Sequence, residues 1–323
     1  MRAIRVTRLD GPDAVELADV DEPTGDGVVV DVHAAGAAFP DALLTRGLYQ
    51  YRPDPPFVLG AEIAGVVRSA PDGSQVRPGD RVVGLTMLTG GMAEVAVLAP
   101  DRVFKLPDNV SFEAGAGLLF NDLTVYFALT TRGRLQQGET VLVHGAAGGI
   151  GTSTLRLAPV LGASRTIAVV STEEKAEIAT AAGATDVVLA DGFKDAVKDL
   201  TDGRGVDMVV DPVGGDRFTD SLRSLVAGGR LLVIGFTGGE IPTVKVNRLL
   251  LNNIDVVGVG WGAWAGSHPG ALTEQWNALE RLLSSGQLPA PQPDVFPLQE
   301  AAAAVASMEN RTAKGKVVLR VRD

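Results

Sequence analysis

Residues 141–151 read VLVHGAAGGIG. The apolar run Val141–Val143 passes into Gly145, Ala146, Ala147, Gly148, Gly149, Ile150 and Gly151, and a helical pattern over 152–161 follows. Strand, glycine turn and helix in that order leave backbone N–H groups at a helix N-terminus with no side chain in the way. A pyrophosphate binds at such a place. A glycine turn alone is a weak signal; its position between a strand and a helix within a β-α-β unit is what makes it specific. The chemistry implied is dinucleotide binding, with Gly145, Ala147, Gly148, Gly149 and Ile150 as candidate contacts.

The second strand of that unit ends at Val170. NAD sites commonly place an acidic residue about 20 residues beyond the glycines, on the ribose 2′-OH. Here the strand end carries Ser171 and Thr172, with Lys175 a turn further on. Hydroxyls and a cation accept a 2′-phosphate that a carboxylate would repel, so this end favours NADPH. Ser171-x-x-Glu174 also reads as a capping box with Lys175 on a solvated face. Two further loops, Asp211–Gly215 and Ile234–Gly238, follow strands. Ligands in open α/β sheets bind outside the carboxyl ends of the strands, which directs these loops, with Asp211 and Phe236, to the nicotinamide half.

Other chemistry is missing. The chain has no cysteine, and its three histidines, His33, His144 and His268, are scattered. His33 and His144 read as structural. No three-ligand zinc set is evident, and neither a G-x-S-x-G elbow nor a Walker loop is present. Metal-free hydride transfer is the chemistry that remains for a nicotinamide fold.

The elements that must position these groups fall into two patterns. Short alternating runs at 28–34, 62–68, 81–85, 93–98 and 103–106, separated by Gly/Pro/Asp turns, predict a barrel-like β unit. From Ser111 the period changes, with helices predicted over 111–117 and 124–131. Strands are then predicted at 140–144, 166–170, 186–189, 206–210, 230–234 and 254–259. Helices are predicted at 150–162, 173–182, 193–200 and 216–227. Such alternation of continuous apolar strands with helices predicts an α/β fold with a doubly wound parallel sheet. A helix at about 270–285, a Pro-rich link over 288–293, a helix near 298–308 and a strand at 316–321 complete the chain. That last strand is a candidate to rejoin the N-terminal unit.

The composition agrees with a globular protein: 323 residues, 46% hydrophobic and 21% charged, with a net charge of −10. That charge argues against a nucleic-acid surface. No apolar run approaches the roughly 18 residues of a membrane span, and the N-terminus lacks the apolar core of a signal peptide. A cytoplasmic location is the expectation.

Taken together, the stretches AAGAAFPDALLTRGLYQY (34–51), PFVLGAEIAGVV (56–67), NDLTVYFAL (121–129), HGAAGGIGTSTLRLA (144–158), VVSTEEKAEIA (169–179), DPVGGDRF (211–218), IGFTGG (234–239), NRLLLNNIDVVGVGWG (247–262) and AKGKVVL (313–319) resemble the zinc-independent quinone oxidoreductase (zeta-crystallin-like) branch of the medium-chain dehydrogenases/reductases. The resemblance covers nearly the whole chain. It implies a GroES-like β-barrel domain at 1–121 and 263–323, with a Rossmann domain at 122–262 inserted in it and the active site in the cleft. It puts Thr124 at the nicotinamide carboxamide and Gly148, Gly149 and Ile150 under the pyrophosphate. Ser171, Lys175 and Arg311 go around the 2′-phosphate, and Phe236 beside the nicotinamide. Ala61 stands where zinc-using relatives carry histidine. The family's usual asparagine before Phe-x-Asp is Ala38 here, with Asn121 a possible substitute.

The expected function is NADPH-dependent hydride transfer to a quinone or α,β-unsaturated carbonyl. Without zinc, hydrogen-bond donors must stabilise the charge that develops on the carbonyl oxygen. Tyr49 is the first candidate and Tyr51 the second, since a phenol donates well below its pKa of about 10. Arg46 is a candidate source of positive charge, and Asp41 reads as a turn partner. A low-turnover NADPH-binding sensor or structural protein and a zinc-free alcohol dehydrogenase are the competing readings. The apolar strand at 253–260 is an open edge suited to pairing with a second copy, and the resemblance implies a homodimer.

Overall fold

The computed structural model describes residues 1–86 and 88–322. It divides into a discontinuous unit, Met1–Phe120 with Pro269–Asp323, and a central unit, Asn121–His268.

The discontinuous unit begins with β1 (Arg2–Val6), antiparallel to β2 (Val15–Asp19). Ala3, Ile4 and Val6 of β1 are buried, while Arg5 meets its cross-strand partner Glu16 at 2.7 Å. β3 (Val28–Ala37) runs on past His33, three residues beyond the predicted end. Helix α1 (Phe39–Thr45) follows it directly, and β4 (Phe57–Val58) pairs with β1. β5 (Glu62–Ser69), β6 (Arg81–Leu85) and β8 (Val103–Lys105) form a meander beside β3, whose outer half also pairs with β7 (Val95–Leu98). The predicted helix at 111–117 is the single turn α2 (Phe112–Gly115), capped by Ser111 Oγ accepting from the Ala114 N–H at 3.1 Å.

Helix α3 (Leu119–Tyr126) starts earlier than the sequence predicts and continues as a π-helical turn, Phe127–Arg132. The central unit then alternates as expected: β9 (Thr140–Val143), α4 (Gly149–Val160), β10 (Arg165–Val170), α5 (Glu173–Ala181), β11 (Asp186–Leu189), α6 (Phe193–Leu200) and β12 (Val206–Asp211). Every residue of β9 and β12 is buried, as a strand covered on both faces requires. α7 (Phe218–Arg223) is shorter than the predicted helix, because β13 (Leu225–Val233) begins where Leu225 pairs with Val206 ahead of a register shift. α8 (Asn247–Asn252), β14 (Asp255–Gly258) and α9 (Trp261–Ser267) end the unit. All six strands are parallel, in the order β11-β10-β9-β12-β13-β14, so β14 is an edge.

The chain then returns to the discontinuous unit with α10 (Ala271–Ser284), whose Trp276 stacks on Phe104 at 5.7 Å between ring centroids. β15 (Asp294–Pro297), α11 (Ala301–Glu309) and β16 (Val317–Arg320) follow. β16 pairs with the inner half of β3, so the final strand does rejoin the N-terminal sheet.

Candidate functional site

The strand order of the central unit reverses between β9 and β12, and the glycine turn leaves the carboxyl end of β9 at that point. Gly145 takes φ +57°, a left-handed conformation that glycine adopts without strain. Gly148 caps α4 through its carbonyl, which accepts from the Thr152 N–H at 2.8 Å. A Cβ at Gly151 would lie 2.3 Å from Gly145 O, so glycine there lets the helix close on the strand. A Cβ at Gly149 would meet Asn121 Nδ2 at 2.3 Å. Without a Cβ at Gly149 and Gly151, the first turn of α4 packs closely on Asn121 and on the glycine turn, and its N–H groups stand at a helix N-terminus of the kind a phosphate approaches.

Asn121 of α3, the candidate substitute for the missing asparagine, is buried against Gly149 of that turn, and Thr124 of the same helix is also buried. Between them Asp122 pairs with Arg156 of α4. Sequence reasoning missed this pair; its only trace is a cation flanked in sequence by the apolar Leu155 and Leu157.

At the end of β10, Ser171 and Thr172 are exposed. The cap of α5 is Thr172, whose Oγ1 accepts from the Lys175 N–H at 3.3 Å, rather than Ser171 as the capping-box spacing suggested. Ser171 is thereby released from a capping role. Arg311 is exposed, with φ +60°, just beyond α11 in the discontinuous unit.

At the carboxyl end of β12, Asp211 is turned inward. Its Oδ1 accepts from the Val213 and Gly214 N–H groups at 2.8 and 2.9 Å, so it shapes its own loop instead of presenting its carboxylate. Phe236 is partly exposed, and a Cβ at Gly214 would sit 2.9 Å from its ring, so the two loops are packed together. His144 is structural: Ser221 Oγ donates to Arg217 O, which leaves it to accept from His144 Nε2 at 2.8 Å. Burial pushes that imidazole down to about 4.

In the discontinuous unit, Tyr49 is half-buried and packs on the core. Burial first, then the nearby Asp41 charge, raises its phenol above the ordinary value. Tyr51 is exposed. Arg46, the candidate source of positive charge, is engaged: Nε and Nη2 donate to the two carboxylate oxygens of Glu309, the latter at 2.9 Å. Asp41 is the turn partner anticipated. It accepts from the Ala38 N–H at 2.8 Å and the Gly60 N–H at 3.2 Å, and burial pushes it up to about 7.

Two family models match. One described as "Alcohol dehydrogenase GroES-like domain" covers residues 24–108, and one described as "Zinc-binding dehydrogenase" covers 149–285. A "Quinone oxidoreductase-like protein 2" of Rattus norvegicus is 38% identical, over 90% of this chain and 84% of its own. The chain belongs to the quinone oxidoreductase branch of the medium-chain dehydrogenases/reductases. Solved structures agree. A probable oxidoreductase from Mycobacterium abscessus is similar at a TM-score of 0.90 and 43% identity, covering 99% of each chain. The Escherichia coli quinone oxidoreductase, complexed with NADPH, is similar at 0.89 and 29% identity, covering 99% of this chain and 100% of that one.

Within this quinone oxidoreductase-like chain the position before Glu62 is the buried Ala61. Among the described residues no group of three His, Cys, Asp or Glu side chains is placed to hold a metal, and no helix is long and apolar enough to cross a membrane. The glycine turn fits a dinucleotide pyrophosphate, since Gly148 and Gly149 place no Cβ at the N-terminus of α4.

Proposed function

We propose that the protein is an NADPH-dependent oxidoreductase that transfers hydride to a quinone or to the β-carbon of an α,β-unsaturated carbonyl, with no metal taking part. The observation carrying this reading is the glycine turn at the N-terminus of α4, at the switch point of the sheet, beside a β10 end that offers Ser171 and Lys175 in place of a carboxylate. The NADPH complex of the similar Escherichia coli enzyme supports it.

When bound, NADPH supplies the hydride. The protein's own part is binding and polarisation. The α4 N-terminus and its glycines hold the pyrophosphate, Ser171, Lys175 and Arg311 hold the 2′-phosphate, and Thr124 and Phe236 orient the nicotinamide. Tyr49 donates a hydrogen bond to the substrate oxygen, where negative charge accumulates. Its raised pKa keeps the phenol protonated at neutral pH, as a donor requires. The edge strand β14 and the exposed side chains of Ile241, Val246, Leu250 and Leu251 form the contact between two copies in a homodimer.

The test is oxidation of NADPH and NADH followed at 1:1 stoichiometry with quinones, enones and alcohols as partners. Turnover of quinones or enones with preference for NADPH is expected. Tight NADPH binding with no turnover on any acceptor would overturn the reductase reading in favour of a sensor, which the apolar Ala38 would suit.

A further inference from the structure

Between α3 and α4 the central unit carries a buried ion pair to which the nucleotide reading gives no role. Only 1% of the Asp122 side chain and 6% of the Arg156 side chain are exposed. Arg156 Nη1 lies 3.1 Å from each Asp122 carboxylate oxygen, and Ser153 Oγ donates to Oδ1 at 2.6 Å. On α4, Gly149, Ser153 and Arg156 recur at helical spacing and form one stripe. On α3, Asn121 and Thr124 bracket Asp122. The same stripe that holds Asp122 thus begins at the glycine against which Asn121 rests.

Two buried charges are an uneconomical way to hold helices together, because apolar residues of similar volume often stabilise as well or better. What a hydrogen-bonded pair adds is direction. It fixes the rotation and sliding of one helix on the other, which greasy contacts leave loose. We propose that Asp122 and Arg156 are positioning residues for the dinucleotide: they lock the register of α3 on α4, so that Asn121 and Thr124 stand at a set distance from the pyrophosphate turn. This rests on the NADPH reading, and it assigns the pair to the nicotinamide end of the cofactor rather than to its adenosine end.

The experiment compares the wild type with the paired apolar variant Asp122→Leu/Arg156→Met and with Ser153→Ala, which removes one bond and leaves the charges in place. Three quantities are read: the melting temperature, the affinity for 2′,5′-ADP (which carries the adenosine end alone), and the affinity and kcat with NADPH. The paired variant is expected to melt close to the wild type and to bind 2′,5′-ADP within about twofold. Its NADPH affinity relative to 2′,5′-ADP, and its kcat, are each expected to fall at least about tenfold. Ser153→Ala is expected to shift both in the same direction by about threefold, which keeps the proposal testable if the paired variant fails to fold. An unchanged NADPH to 2′,5′-ADP ratio and an unchanged kcat in Ser153→Ala and in any folded paired variant would overturn it. Failure of the wild type to bind NADPH would instead overturn the cofactor reading, and this inference with it.

Discussion

Lys316 Nζ lies 2.5 Å from Glu62 Oε1, with 4% and 1% of the two side chains exposed. Lys316 also donates to Ala37 O at 2.9 Å, and Glu62 Oε2 accepts from the Phe120 N–H at 2.8 Å. One pair therefore ties β5, β16, the end of β3 and the start of α3. Removing one member leaves a buried charge alone. Lys316→Ala is expected to destabilise the protein by about 3–5 kcal/mol, measured by urea unfolding. A loss below about 1 kcal/mol would show that the pair is not needed.

Lys175 tests cofactor choice. Its N–H is used by the Thr172 cap, but the ammonium of a Lys175→Ala variant is lost without loss of that backbone bond. NADPH affinity is expected to fall about tenfold with NADH affinity unchanged, read by titration against the reduced-nicotinamide fluorescence. An equal effect on both cofactors would remove Lys175 from the 2′-phosphate site.

Tyr49→Phe removes the proposed donor while keeping the ring that packs on the core. Turnover of a quinone is expected to drop about 100-fold, the lower end for removing one donor to a developing oxyanion, with the melting temperature held. Tyr51→Phe, at an exposed position, is expected to leave kcat within twofold. Steady-state kinetics of the two variants side by side decide between them.

The proposed homodimer is tested at exposed apolar side chains. Leu250 is 76% exposed and Ile241 74%, and β14 is an edge strand of its sheet. Leu250→Glu with Ile241→Glu is expected to convert a dimer to a monomer in light scattering at micromolar concentration. A wild type that is already monomeric would refute the dimer.

His144 sets an acid limit. Its folded-state value of about 4 lies below the ordinary 6.5, so the folded protein binds fewer protons than the unfolded chain between those values. The stability it confers is complete above about pH 6.5 and is lost as pH falls toward 4. His144→Leu, set against the Phe193 ring, is expected to flatten the fall in melting temperature over that range. A slope identical to the wild type would show that His144 does not titrate there.

The central unit was the more legible part of the sequence. Its inner strands Thr140–Val143 and Val206–Asp211 are fully buried runs, and the glycine turn is a local pattern. β1 and β2 were not read, because Arg2, Arg5 and Glu16 interrupt short strands whose outward faces are charged. α8 turns Leu250 and Leu251 outward and sets only Leu249 against the core, so no core stripe marks it. The polar groups of the site were hidden for a different reason. Asp122 and Arg156 are 34 residues apart, Glu62 and Lys316 254, and Arg46 and Glu309 263. No local spacing rule reaches across such separations, so the Glu309 partner of Arg46 is not legible in the sequence.

The pairing of β16 with β3 has a consequence for synthesis. β3 spans residues 28–37 and waits for residues 317–320 before its inner half acquires that neighbour. The nucleotide sheet needs nothing beyond residue 258. On the ribosome the nucleotide-binding half therefore has all its strands first, while the half bearing Tyr49 keeps an unpaired edge until translation is nearly over. Chaperone demand, and sensitivity to truncation near residue 317, should fall on that half.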